Sequence, residues 1–142
     1  MLVQCLYASR AVGAVSDAVL DDILRQSRRN NLGRGITGML CHANEIFLQV
    51  IEGSREEVSG LLGRLYADPR HKGLQLLSFE EITQRRFGNW TMGKVNMSAI
   101  NAALLLKYSE KAELNPFACT GPATLHLLLE IAEVGAIAHR ST

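Results

Sequence analysis

From Leu2 to Ile82 the apolar residues change spacing in the order strand, helix, strand, strand, helix, strand, and that order leaves few folds open. Leu2 to Ala8 is short and alternating, which puts Val3, Cys5 and Tyr7 on one face of a first strand. Ser16 is placed to cap a first helix. Asp17, Asp21 and Asp22 lie toward its start and Arg25, Arg28 and Arg29 toward its end, as the helix dipole favours. Val19, Leu20, Ile23, Leu24 and Ser27 then share its inner face. Asn30-Asn31-Leu32-Gly33 stops this helix, and Gly35 loosens the turn into a second strand, Ile36–Cys41. Ala43-Asn44-Glu45 joins it to Ile46–Ile51 as a hairpin, with Phe47, Gln49 and Ile51 on one face. The firmest helix follows: Ser54 and Glu57 form a capping box, and Val58, Leu61, Leu62, Leu65 and Tyr66 make a helical stripe. Asp68-Pro69 ends it, Leu74–Ile82 resumes as a strand, and a polar turn from Thr83 to Asn89 leads into a short strand, Trp90–Val95.

This is an α+β pattern, a ferredoxin-like split βαβ sheet with two helices on one face. The other face must also be hidden from water. Ile100–Lys107 and Thr124–Ala138, separated by a loop holding Pro116, Gly121 and Pro122, read as a helical cap for it. At 142 residues and 47% hydrophobic, the chain suits one domain, 1–97, with a helical extension, 98–142. A net charge of +1 gives no general basic surface, so nucleic acid is not an expected partner. No apolar run approaches the roughly 18 residues of a membrane span, and Met1 to Arg10 lacks a secretory pattern, so a cytoplasmic location is expected. Cys5, Cys41 and Cys119 form no CxxC pair and read as free packing thiols. His42, His126 and His139 show no metal-ligand spacing.

Tyr7 and Gln49 fit a plain core poorly. Both look inward by alternation, on strands that this topology can place side by side. A buried Gln amide left unpaired costs roughly 1–3 kcal/mol, so Gln49 between Phe47 and Ile51 needs a partner. A bound polar ring would supply one. Alternatively, Gln49 bonds a neighbouring backbone and Tyr7 points its hydroxyl to the surface. Asn30 and Asn31 suit a helix end, and Trp90 and Met92, two apart on a strand, share a face as core residues do. Arg64, Arg70, His71 and Lys72 fit a phosphate or simply a solvated helix end.

Taken in order, Leu6-Tyr7-Ala8-Ser9, Asn30-Asn31, Gly35-Ile36-Thr37-Gly38, Phe47-Leu48-Gln49-Val50-Ile51-Glu52-Gly53, Asp68-Pro69-Arg70-His71 and Trp90-Thr91-Met92 resemble the BLUF family of flavin photoreceptors over about the first hundred residues. The resemblance implies that the isoalloxazine ring of FAD slots between the two helices, its edge toward the sheet. FMN or riboflavin would be gripped by the same ring. It makes Tyr7 and Gln49 the photoactive pair, with Trp90 and Met92 on the strand that reports the change. Asn31, with Asn30 beside it, would bond the ring's polar edge, while Ile23, Ser27 and Phe47 would line the slot. Arg64, Asp68 and His71 match positions on the ribityl and phosphate side. The tail, Leu104 to Ser109 and Leu127 to Ala132, is similar to that of short BLUF proteins that form homo-oligomers and meet a separate, response-regulator-like effector.

The resemblance also implies a reversible cycle in which light rearranges hydrogen bonds around the flavin and the C-terminal helices pass on a population shift. Such a chain would signal by binding rather than by catalysis. A flavin-free ferredoxin-like module for a small metabolite is the alternative reading, and a ferredoxin-like monooxygenase or acylphosphatase-type hydrolase is another. The hydrolase would want a phosphate-cradling loop, and Ala11-Val12-Gly13-Ala14 offers no catalytic Arg and Asn.

Overall fold

A computed structural model of the chain describes residues 1–13 and 16–133. Its elements run β1 (Leu2–Ala11), α1 (Asp17–Leu32), β2 (Thr37–Ala43), β3 (Ile46–Ser54), α2 (Arg55–Ala67), β4 (His71–Ile82), β5 (Gly93–Asn96), α3 (Ala102–Tyr108) and α4 (Gly121–Glu133). Ala14 of the loop after β1, residues 134–138 of the expected last helix and His139 lie outside the described residues.

The sheet order is β4-β1-β3-β2-β5. Neighbours are antiparallel except β5, which runs parallel to β2. This is the split βαβ plan, and β3 lies between β1 and β2 because the β1-α1-β2 crossover leaves a gap one strand wide. Gly38 is required by that closeness, since an added Cβ would collide with the Val50 carbonyl oxygen of β3. The caps fall where expected: the Ser16 side chain accepts from the Val19 N–H, and the Ser54 side chain accepts from the Glu57 N–H.

Alternation divides the core into two faces. Val3, Cys5, Tyr7 and Ile51 pack with Val58 of α2, while Leu40 and Phe47 pack with Leu20 and Leu24 of α1. The opposite side chains, Leu6, Ala8, Met39, Leu48 and Val50, meet Leu105 of α3 and Leu127, Leu128 and Ile131 of α4. The C-terminal helices therefore cap the sheet. They are also tied to each other, because Tyr108 Oη donates to Glu130 Oε1 over 2.6 Å and Lys107 pairs with the same carboxylate.

Four expectations need correction. Tyr66 is 58% exposed and Val19 is 41% exposed, so both stand off the core although their periodicity suits it. The α2 stripe is fully buried only at Val58; Leu61, Leu62 and Leu65 pack against the sheet core but stay half-buried, and Leu65 also borders a cleft. The final helix begins at Gly121, since Pro122 is tolerated in a first helical turn where its missing N–H has no intrahelical role. The last strand begins at Gly93, so Trp90 to Met92 form irregular backbone and alternation does not govern them. Trp90 packs toward the C-terminal helices with Phe87, whereas Met92 packs toward α1.

The irregular stretch is held by a buried carboxylate. Glu52, fully buried on the capped face, accepts from Gln4 Nε2 at 2.9 Å and from the N–H groups of Arg86 and Phe87 at 3.0 and 2.7 Å. Arg85 adds bonds to Thr37 Oγ1, the Glu52 carbonyl and the Gly35 carbonyl.

Burial of two thiols sets an alkaline limit on stability. Desolvation pushes the Cys5 thiol up to about 12 and raises Cys41 as well. The folded chain thus keeps protons that the unfolded chain releases, so this stability is full below about pH 8.5 and falls as pH rises. The expected loss is about 1.4 kcal/mol per pH unit for each thiol above that point. Urea midpoints measured from pH 8 to 10 should show this slope, and it should flatten in a Cys5→Ala, Cys41→Ala variant. An equal slope in that variant would assign the effect elsewhere.

Candidate functional site

Tyr7 and Gln49 stand directly opposite each other on β1 and β3. Both are nearly enclosed, at 3% and 4% exposure. The Tyr7 hydroxyl donates a short hydrogen bond to Gln49 Oε1. Gln49 Nε2 in turn donates to the Met92 sulfur at 3.2 Å. The sheet's register places the pair, since each side chain lies on the α1/α2 face of its own strand. Burial first, then the nearby Cys5 and Asp68, drive the Tyr7 phenol far above its ordinary value, so it holds its proton and acts as a donor.

Above this pair a cleft opens between α1 and α2, whose empty space, counted out into the open solvent, is about 420 Å³. Ile23 and Ser27 line it from α1, Leu65 from α2, and Leu40 and Phe47 from the sheet. Its outer end carries Asp68, Arg70 and His71. The Arg70 guanidinium forks onto the Asp68 carboxylate, with Nη2 to Oδ2 at 2.6 Å, and reaches Gln26 of α1 at 3.2 Å. That hydrogen bond from Arg70, outweighing partial burial, holds the Asp68 carboxyl below its usual range. His71 sits edge-on to the Tyr7 ring, 6.3 Å between centroids, while its Nδ1 meets Ser9 Oγ at 2.7 Å.

The cleft suits a flat, heteroaromatic ring. Ile23, Leu40, Phe47 and Leu65 give it apolar surface, the polar groups apart from Ser27 gather at its floor and outer end, and at the floor the Gln49 amide has an N–H met by a thioether, a weak acceptor. A ring carbonyl would be a far better acceptor for that donor.

Of the residues expected from sequence, Tyr7, Ile23, Ser27, Phe47, Gln49, Asp68 and His71 meet around this one cleft. Met92 joins through Gln49. Asn31 is buried at 2% exposure at the end of α1, where its carbonyl accepts from the N–H groups of Gly33, Arg34 and Ile36. Asn30 is exposed, and Arg64 is exposed beside the cleft's outer rim. Trp90 lies across the sheet from the cleft. Leu40 and Leu65 were missed as lining residues, although the alternation of β2 and the α2 stripe both pointed to them. Arg28 was also missed. Its Nε and Nη2 donate to the Met92 carbonyl at 3.2 and 3.0 Å, and nothing in a run of arginines distinguished it. Partial burial pulls its guanidinium below the ordinary value, against the pull of Asp21.

Among the described residues no helix is long and apolar enough to cross a membrane. A family-wide pattern described as BLUF, sensors of blue light using FAD, matches residues 2–93. The dark-state structure of BlrB, a BLUF protein, is 33% identical with a TM-score of 0.79, covering 94% of this chain and 96% of that one. The photo-activated state of BlsA is 28% identical with a TM-score of 0.82, covering 100% and 99%. Photoactivated adenylate cyclase subunit beta of Euglena gracilis is 33% identical over 87 residues, which are 61% of this chain and 10% of that protein. The chain thus spans about a tenth of the length of the curated relatives it matches, and the cyclase activity is named for those longer proteins. With the fold, the ordered motifs and the cleft all accounted for, the chain belongs to the BLUF family of flavin-binding blue-light sensors.

Proposed function

We propose that Tyr7 and Gln49 are the photoactive pair of this sensor, and that the ring of a flavin lies in the cleft between α1 and α2. The observation that carries this reading is the buried chain from Tyr7 Oη to Gln49 Oε1 and from Gln49 Nε2 to Met92 Sδ. Ile23, Ser27, Leu40, Phe47 and Leu65 would hold the ring, and the Asn31 amide its polar edge. Asp68, His71 and Arg64 would serve the ribityl and phosphate end. FAD is the expected flavin, and FMN or riboflavin share the ring on which the slot acts. When bound, the flavin supplies the blue absorption and, once excited, an oxidant able to take an electron from a phenol.

Tyr7 is the phenol in reach, and its proton already lies on a hydrogen bond to Gln49 Oε1. Loss of an electron makes that proton strongly acidic, so it can move to the amide oxygen. A primary amide can exchange its donor and acceptor ends by rotation or tautomerisation, which gives Gln49 two hydrogen-bond patterns in one place. The second pattern removes the donor from Met92, and the stretch from Trp90 to Gly93 then responds. Trp90 touches the cap and Met92 the cleft side, so this stretch links the two faces of the sheet.

Residues 1–97 would thus be the sensor and 98–142 the output segment, signalling in the cytoplasm through a homo-oligomer or a separate effector protein and without catalysis of its own. Absorption spectra of the purified protein before and after blue light test the core of this. A yellow protein with a small red shift that reverses in the dark is expected. Colourless protein that takes up none of FAD, FMN or riboflavin would overturn the reading in favour of a flavin-free metabolite module.

A further inference from the structure

Met92 touches Gln49 through its sulfur, and that contact is too weak to hold Met92 in place. A thioether is a poor acceptor and the methionine side chain is flexible, so where the sulfur lies depends on where the backbone is held. Met92 precedes β5, outside the regular ladder. Its carbonyl instead receives two hydrogen bonds from one guanidinium, Arg28 Nε at 3.2 Å and Nη2 at 3.0 Å. Such a charged fork is stronger and more directional than a neutral bond. Asp21, about two turns earlier on α1, adds a second tether, pairing with Lys94 at 3.5 Å. Arg28 also directly follows Ser27, which lines the cleft. One helix therefore both walls the cleft and grips the stretch that contacts Gln49.

We propose that Arg28 is a positioning residue for Met92, holding its backbone so that its sulfur stays against the Gln49 amide. This rests on the photoactive reading of Gln49 for its consequence, but the contact itself exists without light. While the fork is made, Met92 occupies the cleft side and the Gln49 N–H points to it. When the fork is lost, Met92 drifts from Gln49, and the arrangement present before illumination reforms slowly. The fork thereby sets how fast the protein resets.

The test uses the full chain, flavin-loaded, as wild type, Arg28→Ala, Arg28→Lys and Arg29→Ala. Arg29 is an exposed neighbour and serves as the control. In the dark, the carbon-13 methyl resonance of Met92, assigned with a Met92→Leu sample, should move and sharpen in Arg28→Ala. Arg28→Lys keeps the charge but not the fork and should fall between, while Arg29→Ala matches wild type. After blue light, Arg28→Ala should keep its red shift and recover roughly tenfold more slowly. A Met92 resonance unchanged in Arg28→Ala would overturn the positioning role. A shifted resonance with unchanged recovery would overturn its link to resetting. Should wild type show no red shift, the photoactive reading and the resetting role fail together, and the dark resonance alone decides whether Arg28 positions Met92.

Discussion

Replacing Tyr7 with phenylalanine is expected to abolish the light-induced red shift while leaving flavin in the cleft. The ring of Tyr7 packs against His71 and the core of β1, and phenylalanine keeps that volume. What it removes is the hydroxyl, which on the proposed reading makes the ring an electron donor to the excited flavin and supplies the proton that passes to Gln49 Oε1. Gln49→Ala should have the same photochemical outcome by the other route, because the proton then has no amide to receive it and no second pattern to settle into. The stability cost of Tyr7→Phe should be modest, about 1–2 kcal/mol, since Gln49 Oε1 loses its donor in a buried setting. Difference spectra of the flavin-loaded variants check this. A normal red-shifted state in either would mean that the pair has been given the wrong roles.

Glu52→Ala should be the most damaging change away from the cleft. The carboxylate is completely enclosed and accepts from Gln4 Nε2 and from the N–H groups of Arg86 and Phe87. Alanine would leave these donors without acceptors and a void beside them, a loss on the order of 3–5 kcal/mol. For a domain of this size that corresponds to a fall in Tm of roughly 10–15 °C. Glu52→Gln should cost less, because one acceptor oxygen remains while the new NH2 group faces donors. Chemical denaturation of the two variants separates the cases, and an alanine variant within about 1 kcal/mol of wild type would show that the loop is anchored by other contacts. The same variant should loosen the approach to Trp90, since Phe87 packs against it with ring centroids 6.4 Å apart.

How much of this was legible beforehand depended on whether a residue obeyed a repeating pattern. Tyr7 and Gln49 sit inside regular strands, so alternation put them on the correct face, and the strand order made them neighbours. Glu52 lay one residue past the expected strand Ile46–Ile51, although β3 runs on to Ser54, and its carboxylate accepts from backbone donors of a loop whose path no pattern describes. Trp90 and Met92 were assigned one face because a strand was expected to begin at Trp90; it begins at Gly93. Three residues of irregular backbone were enough to send them to opposite sides of the sheet.

The sequence by itself determined the order of elements, the caps of α1 and α2, the burial pattern of the central strands and the inward placing of Tyr7, Phe47 and Gln49, because these follow from local periodicity and short-range hydrogen bonds. The ordered motifs, read as a set, also pointed to the family. Only the tertiary structure decided that Asn31 is enclosed while Asn30 faces water, and that Tyr66 and Val19 stand clear of the core. It alone picked Arg28 from its neighbouring arginines as the one that grips Met92. The physical reason is common to all of these. A side chain's partner across 64 residues of chain is set by how the helices settle on the sheet, and no spacing along the sequence encodes that angle.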